Sequence, residues 1–222
     1  PDLEAHPNVG ALVSPKQYSD GGWLYCSGTL ISPTVFLTAA HCNIGLETVG
    51  VSFSTKYKAG DKVYYGKYVA HPDFSQKTSD PHDIAVVIFD TPVLNIEPAK
   101  LPAANSLQDL SSNQKFTSVG YGAYDVVNGP GGKDLLYSDT RAVSVGTLNA
   151  TNSSWLRISQ NQAKDDGGTC YGDSGGPNFL GNTKIVAALT VSGDAYCRAT
   201  NVAYRLDSLS ARDFLKQFVT LP

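Results

Sequence analysis

The sequence predicts an all-β fold, and two observations support this prediction. Short β-rich runs recur between turn residues along most of the chain, from "VGALV" near the start to "NVAYRL" near the end. Glycine (21 residues) and proline (12 residues) are plentiful, and helical periodicity is absent until the last stretch. Many short strands separated by turns are typical of a β-barrel or a β-sandwich. The 222 residues can form a substantial core and two small subdomains.

The predicted elements fall into two groups of strands and a final helix. The first group includes "WLYCSGTLI", "VFLTAA", "KVYYGKYVA" and "DIAVVIF", and the last of these is continuously apolar, as expected of a strand covered on both faces. Residues 101–114 interrupt this rhythm and are interpreted as a linker. The second group includes "FTSVGYG", "RAVSVGTL" and "KIVAALTV". Leu215, Phe218 and Val219 share one helix face, which predicts a terminal helix docked on the body.

Charge and hydropathy give no reason to expect a nucleic acid or a membrane as a partner. The net charge is −3, so there is no electrostatic attraction to a nucleic acid or to an anionic membrane surface. No apolar run approaches the ~20 residues that a membrane span requires. The opening "PDLEAHPNVG" lacks the basic start and apolar stretch of a secretion signal, so such a signal was removed or never existed.

The four cysteines leave three possibilities open, namely two disulfides, a metal site or free thiols. No pair has the C-x-x-C spacing, and the nearest histidine is His41, which argues against a zinc site. Two disulfides would indicate an oxidising compartment. The glycosylation sequons at Asn149 and Asn152 fit the same prediction of a secreted protein.

The stretch "CYGDSGGPNF" surrounds Ser174 with glycines. A serine hydroxyl is a poor nucleophile unless a base takes its proton and donors stabilise the oxyanion that forms on the substrate. Gly172 and Ser174 would supply two backbone N–H donors, while Gly175 and Gly176 would leave space for a substrate. The alternative is an ordinary glycine-rich turn, so the catalytic interpretation requires a base and an acid elsewhere.

His41 is the candidate base. It ends the apolar run "VFLTAAHC", and a disulfide between Cys42 and Cys26 would close a loop of 42 − 26 = 16 residues and contribute roughly 3 kcal/mol. Such an anchor would give the imidazole the rigid support that a general base needs. The alternative is a buried histidine bonded to backbone groups. The other histidines lie in loops and are expected to be solvated: His6, His71 and His82.

Asp83 is the candidate acid that orients the base. It begins "DIAVVIF", and a carboxylate at the head of so apolar a strand is costly unless it has a partner. An imidazole is such a partner, because a buried carboxylate can hold the proton on one of its nitrogens. The remaining acids of this region lie in polar surroundings and are expected at the surface: Asp73, Asp80 and Asp90.

Three stretches, "TAAHC", "DIAVVIF" and "GDSGGP", resemble the signatures of the chymotrypsin-like (trypsin-fold) serine endopeptidases, in the family's order of His, Asp and Ser. The steps of 83 − 41 = 42 and 174 − 83 = 91 residues are close to those of the family. The resemblance covers essentially the whole chain. It implies two antiparallel six-stranded β-barrels with the active site in the cleft between them, and a C-terminal helix. The implied divisions are 1–105 for the first barrel, 106–206 for the second and 207–222 for the helix.

The resemblance also implies a mechanism. His41, Asp83 and Ser174 would form the catalytic triad, with the N–H groups of Gly172 and Ser174 as oxyanion hole. The disulfides would be Cys26–Cys42 and Cys170–Cys197. Acyl transfer of this kind needs neither a metal nor an organic cofactor, and calcium binding is not expected because the acids lack suitable spacing. The expected partners are peptide or protein substrates and protein protease inhibitors, and the chain is expected to act as a monomer.

Asp173 is expected to be a structural latch rather than a catalyst. In the family, this aspartate turns inward and pairs with a cation, usually the new N-terminus that forms when a propeptide is cut. This chain starts Pro-Asp-Leu-Glu rather than Ile-Val-Gly-Gly, and only six residues precede the stretch "PNVGALV". We therefore expect an internal cation, Arg141 or Arg157, to replace the terminus.

The substrate pocket is expected to favour small or medium apolar side chains. Glycine stands at the base, at position 168, where trypsin-type members place an aspartate, so a preference for Arg or Lys is not expected. A glutamate-preferring pocket is the alternative, because Thr169 and Ser192 could bind a carboxylate, although Leu189 replaces the histidine of such members. The full set of predicted pocket residues is Gly168, Thr169, Thr190, Val191, Ser192 and Val202.

Two other classes of protein compete with this interpretation. A non-catalytic binding protein of the same fold would usually lose part of the triad, whereas all three residues are present here. A serine esterase of another fold would satisfy "GDSGG" as a G-x-S-x-G motif, but its chain order is Ser, acid, His. Since every histidine of this chain precedes Ser174, that order excludes the esterase.

Overall fold

The structure is a computed structural model that describes residues 2, 4–77, 80–129 and 132–222. Six antiparallel strands close the first barrel in the order β1-β2-β3-β6-β5-β4. Their bounds are β1 (Val9–Val13), β2 (Leu24–Ser32), β3 (Val35–Thr38), β4 (Thr48–Ser52), β5 (Tyr64–Ala70) and β6 (Ala85–Phe89).

The second barrel also closes from six antiparallel strands, and two further strands pair in a separate antiparallel sheet. This small sheet consists of β8 (Asp125–Gly129) and β9 (Gly132–Leu136). The barrel strands are β7 (Lys115–Gly120), β10 (Ala142–Thr151), β11 (Trp155–Ser159), β12 (Pro177–Leu180), β13 (Val186–Gly193) and β14 (Thr200–Arg205). They join in the order β10-β11-β14-β13-β12-β7, so the prediction of two six-stranded barrels is confirmed.

Each barrel surrounds its own apolar interior. Residues Ile84 to Val87, at the start of the continuously apolar run, are all 0% exposed, as predicted for a strand covered on both faces. Phe36 fills the first barrel and Phe116 the second, and both are fully buried. Close-packed apolar interiors of this kind resist deformation, so the barrels are firm supports for the residues at their ends.

The predicted helix is present but shorter than its apolar pattern indicated. It is α1 (Leu209–Leu215), and its N-cap is Ser208, whose hydroxyl accepts a hydrogen bond from the N–H of Ala211. Phe218 and Val219 lie beyond α1 but still pack on the apolar core. Among the described residues, no helix is long and apolar enough to cross a membrane.

A buried ion pair ties the N-terminal segment to the second half of the chain. Nε of Arg141 donates to Oδ2 of Asp2 (2.7 Å), and both side chains are 0% exposed. The same guanidinium donates to the carbonyl oxygens of Val9 (3.1 Å) and Phe53 (3.2 Å) in the first half. Arg141 therefore links the two barrels through both charge and backbone hydrogen bonds.

Candidate active site

His41 stands in a short 3₁₀ turn (Ala40–Cys42) that follows β3 directly. A disulfide joins Cys42 to Cys26 of β2, with an S–S distance of 1.97 Å. The pairing is the one that the family resemblance implied. Covalent closure next to the histidine, together with buried Ala40 on its other side, holds the imidazole at the end of a barrel strand.

Asp83 binds His41 at two points. Its Oδ2 lies 2.7 Å from Nδ1 of the imidazole, and its Oδ1 accepts the backbone N–H of the same residue at 2.9 Å. The Asp83 side chain is 6% exposed and that of His41 is 34% exposed. Because an ionised carboxylate can only accept, Nδ1 carries the proton and Nε2 is left with a lone pair on the exposed side.

Ser174 lies in the segment between β11 and β12, and a disulfide between Cys170 and Cys197 anchors this segment. Gly175 has φ of +78°, and a Cβ there would lie 2.3 Å from Oγ1 of Thr38, so only glycine fits. Gly172 also has positive φ, at +95°. Within the described ranges of the chain, no protein acceptor takes the backbone N–H of Gly172 or of Ser174.

Ser27 connects the Ser174 segment to the first barrel, a role that the sequence analysis did not identify. Its hydroxyl donates to the carbonyl of Gly172 (2.9 Å) and accepts the N–H of Tyr121 (2.9 Å). Its N–H donates to the carbonyl of Ser174 (2.9 Å). Ser27 is fully buried, so these bonds set the position of the Ser174 backbone relative to β2.

Asp173 turns inward, as expected for a latch, but the expected arginine partner is wrong. Its carboxylate accepts the N–H of Gly122 (2.9 Å) and the N–H of Cys170 (2.8 Å). Burial raises its pKa to about 6, and these two hydrogen bonds only partly offset that rise. Arg141 pairs with Asp2 instead, and Arg157 is exposed on β11. No cation among the described residues pairs with Asp173, and Pro1 lies outside them.

Glycines shape the space that Asp173 occupies. A Cβ on Gly120 would lie 2.1 Å from Oδ1 of Asp173, and one on Gly122 would lie 2.5 Å from Oδ2. Both positions belong to the stretch "VGYG", which the sequence analysis used only to place a strand. The lack of side chains at these two positions is therefore what admits the buried carboxylate.

His41 and Ser174 line one cavity of about 270 Å³. Four residues that were predicted for the substrate pocket also line it, and two, Gly168 and Val202, lie outside its lining. The four are Thr169, Thr190, Val191 and Ser192. The structure thus brings the candidate base, the candidate nucleophile and most of the predicted pocket to one hollow.

Gln160 fills the space in front of Gly168. A Cβ on Gly168 would lie 1.7 Å from Oε1 of Gln160. The amide is buried, accepts the N–H of Thr169 (2.8 Å) and donates to Oδ1 of Asp194 (3.2 Å). An aspartate at position 168 therefore has no room while Gln160 stands there.

Asp194 also lines this cavity, although the sequence analysis did not predict it. Burial acts to raise the pKa of its carboxyl, but backbone N–H donors from Thr200, Arg198 and Ala199 outweigh burial and lower the pKa. The carboxylate is therefore ionised at neutral pH. Because its oxygens accept several hydrogen bonds from its own loop, its main role here is to hold that loop.

A second cavity of about 430 Å³ lies against the other side of His41. It shares Val191 and Ser192 with the first cavity. Its far wall is the segment between β5 and β6, which contributes Phe74 and Gln76. The two cavities therefore adjoin each other at His41, Val191 and Ser192.

A buried carboxylate on an imidazole, a serine in the same cavity and two closed barrels define a chymotrypsin-like serine protease. The family model described as Trypsin matches residues 8–211. A trypsin of Phaedon cochleariae is 32% identical over 213 residues, covering 81% of this chain and 78% of that protein. A trypsin of Saccharopolyspora erythraea is 27% identical over 199 residues, covering 83% and 81%.

A solved structure of HL collagenase has the same fold, with a TM-score of 0.73 over 96% of this chain and 93% of that chain, at 22% identity. At that identity the likeness concerns the fold alone. The family match and the identity to the Phaedon trypsin carry the assignment. The chain belongs to the trypsin family and is a chymotrypsin-like serine endopeptidase.

Proposed function

We propose that this chain is a secreted endopeptidase that cuts peptide bonds through an acyl-enzyme, after small or medium apolar side chains. One observation carries the proposal: Asp83 holds His41 through two hydrogen bonds, and His41 lines the same cavity as Ser174. The hydrogen bond at Nδ1 leaves a lone pair on Nε2 of His41, which is what a general base needs.

In the first step, Oγ of Ser174 attacks the carbonyl carbon of the peptide while Nε2 of His41 takes the hydroxyl proton. The carbonyl oxygen becomes an oxyanion, which the N–H groups of Gly172 and Ser174 stabilise. When the C–N bond breaks, His41 returns the proton to the leaving amine, and the acyl group stays on Ser174. Water then attacks the ester with His41 again as base, which releases the acid and restores the serine.

Asp83 holds the imidazole in one tautomer and stabilises the imidazolium that forms in each step. Asp173 holds the oxyanion segment in place through Gly122 and Cys170. Non-catalytic proteins of this fold usually lose part of the triad, whereas this chain retains His41, Asp83 and Ser174.

The proposed specificity follows from the cavity walls. Gln160 occupies the space into which an aspartate at the bottom of the pocket, at position 168, would extend. This arrangement argues against recognition of Arg or Lys. Val191 contributes an apolar wall. The negative charge of Asp194 in the same lining disfavours an acidic substrate side chain, which argues against the glutamate-preferring alternative. Both oxygens of Asp194 already accept hydrogen bonds from its own loop or from Gln160, so this carboxylate does not stand free to pair with Arg or Lys. A small or medium apolar substrate side chain therefore suits the walls of this cavity best.

Secretion is proposed from the two disulfides, because such bonds form and persist in oxidising compartments. A chain of this family acts on peptide substrates. Protein inhibitors as partners, and a monomeric state, remain predictions.

Mapping of the cuts in a mixed peptide library by mass spectrometry tests the proposal. We expect kcat/KM after small or medium apolar residues to exceed that after Arg, Lys or Glu by at least about 10-fold. The Ser174→Ala protein is the control and should leave the library uncut. Dominant cuts after Arg or Lys would contradict the proposed specificity, and cuts that survive in the control would show that another protein made them.

A further inference from the structure

Two histidines and an aspartate meet on the segment between β5 and β6, outside the catalytic residues. They are His71, Asp73 and His82, and their ligand atoms lie within 4.8 Å of one another. The two imidazole rings are 4.7 Å apart between centroids. All three residues are at least partly exposed, so an ion from solvent can reach them.

The lone pair of His82 is directed by a buried carboxylate. Its Nδ1 lies 2.8 Å from Oδ1 of Asp80, whose side chain is 4% exposed. The same carboxylate accepts the backbone N–H of Ser75 at 2.7 Å and that of His82 at 3.0 Å, so its oxygens act as acceptors. The ionised carboxylate keeps the proton on Nδ1, so Nε2 of His82 has a lone pair. A carboxylate behind a histidine is the usual support of a metal-binding imidazole.

The lone pair of His71 is identified by a different contact. Its Nδ1 accepts the backbone N–H of Asp73 at 3.1 Å, so this nitrogen is unprotonated. The ring packs on Phe214 of α1, with centroids 5.2 Å apart, which holds its orientation. A metal ion bound at Nδ1 of His71 would displace only the hydrogen bond from the backbone N–H of Asp73.

We propose that His71, Asp73 and His82 bind one divalent zinc ion, with Asp80 as the residue that orients His82. Two imidazole nitrogens and one carboxylate oxygen are a ligand set that zinc takes in proteins, with a water in the fourth position. Calcium and magnesium prefer oxygen ligands alone, so the two imidazoles select against them. The proposal does not depend on the peptidase chemistry.

The ion would join the two ends of a segment that reaches the active site. His71 follows β5 directly, and His82 precedes Asp83. Phe74 and Gln76, between the two ligands, line the cavity beside His41. A bound ion would therefore restrain the wall of that cavity and raise the thermal stability of the protein.

Titration of the full-length Ser174→Ala protein with ZnCl₂, followed by calorimetry, tests the site. We expect one ion per chain and a rise in Tm of about 5–10 °C at a hundredfold excess over Kd. His71→Asn and His82→Asn should each weaken binding at least about 10-fold, and Asp80→Asn should do so through His82. The matched control is His6→Asn, which removes a histidine that also contacts an aspartate, Asp2, and should leave Kd unchanged.

A second measurement needs no change at the ligands. In NMR spectra of the Ser174→Ala protein, ZnCl₂ should shift the imidazole signals of His71 and His82 and leave those of His6 and His41 in place. Absence of binding would overturn the proposal. So would binding that His71→Asn and His82→Asn leave intact, or a zinc-induced shift at His41 alone, which would assign the ion to the candidate base.

Discussion

The Asp83→Asn protein should have a kcat about 10⁴-fold below that of the unchanged protein, the loss seen for the equivalent change in a well-studied serine protease. The reason lies in the two contacts of the carboxylate. Oδ1 accepts the backbone N–H of His41, so the amide oxygen of an asparagine must take that place. Its NH₂ then faces Nδ1, which must become an acceptor, and the imidazole proton moves to Nε2. Steady-state kcat and KM, measured with an apolar peptide substrate, test this.

The matched control is Asp166→Asn. Asp166 is also a buried carboxylate with a nitrogen partner, Nζ of Lys115 at 3.1 Å, but it has no hydrogen bond or ion pair with His41. Its kcat should stay within a few-fold of the unchanged protein. Equal losses in the two variants, or a loss below 10-fold in Asp83→Asn, would contradict the role given to Asp83.

The Arg141→Leu change should lower the free energy of unfolding by about 3–5 kcal/mol, because it removes the arginine from a buried carboxylate, Asp2, which then keeps only its contacts with His6. The ion pair is 2.7 Å long and both side chains are 0% exposed, so water cannot replace the lost partner without opening the structure. The backbone oxygens of Val9 and Phe53 also lose a donor. Urea unfolding in the Ser174→Ala background, which avoids self-digestion, measures the effect.

Arg157→Leu is the control for this prediction. Arg157 is exposed on β11, so its loss should change the free energy of unfolding by no more than about 0.5 kcal/mol. Replacing Asp2 and Arg141 together by apolar residues should recover part of the loss, because no buried charge is then left alone. Similar small effects of both arginine changes would show that the buried pair does not contribute to stability.

Much of the fold could be predicted because its signals are local. The run "DIAVVIF" is apolar at every position after its acid, and the structure covers the strand on both faces. Three signature stretches in order implied two barrels and the pairing Cys26–Cys42 and Cys170–Cys197, which the structure contains. The site residues follow from the same stretches, since each is set by its neighbours in the chain.

The remainder depends on contacts between distant residues. From the sequence, either Arg141 or Arg157 could be the cation that pairs with the buried Asp173. Only the folded structure shows that Arg141 pairs with Asp2 instead. Gln160 follows β11 and folds back on Gly168, only 168 − 160 = 8 positions later, but nothing in the local sequence indicates that its side chain fills this space. The hydroxyl of Ser27 reaches Gly172, 145 positions away, for the same reason. Such pairings appear only after the strands have closed.

Active-site labelling shows whether His41 activates the hydroxyl of Ser174. The purified protein is treated with a serine-directed acylating or phosphorylating reagent, and the modified residue is located by mass spectrometry. The account predicts one label, on Ser174, which is lost when His41 is replaced by alanine because no base then takes the hydroxyl proton. A protein that stays unlabelled, or a label on Ser174 that forms equally fast without His41, would contradict it.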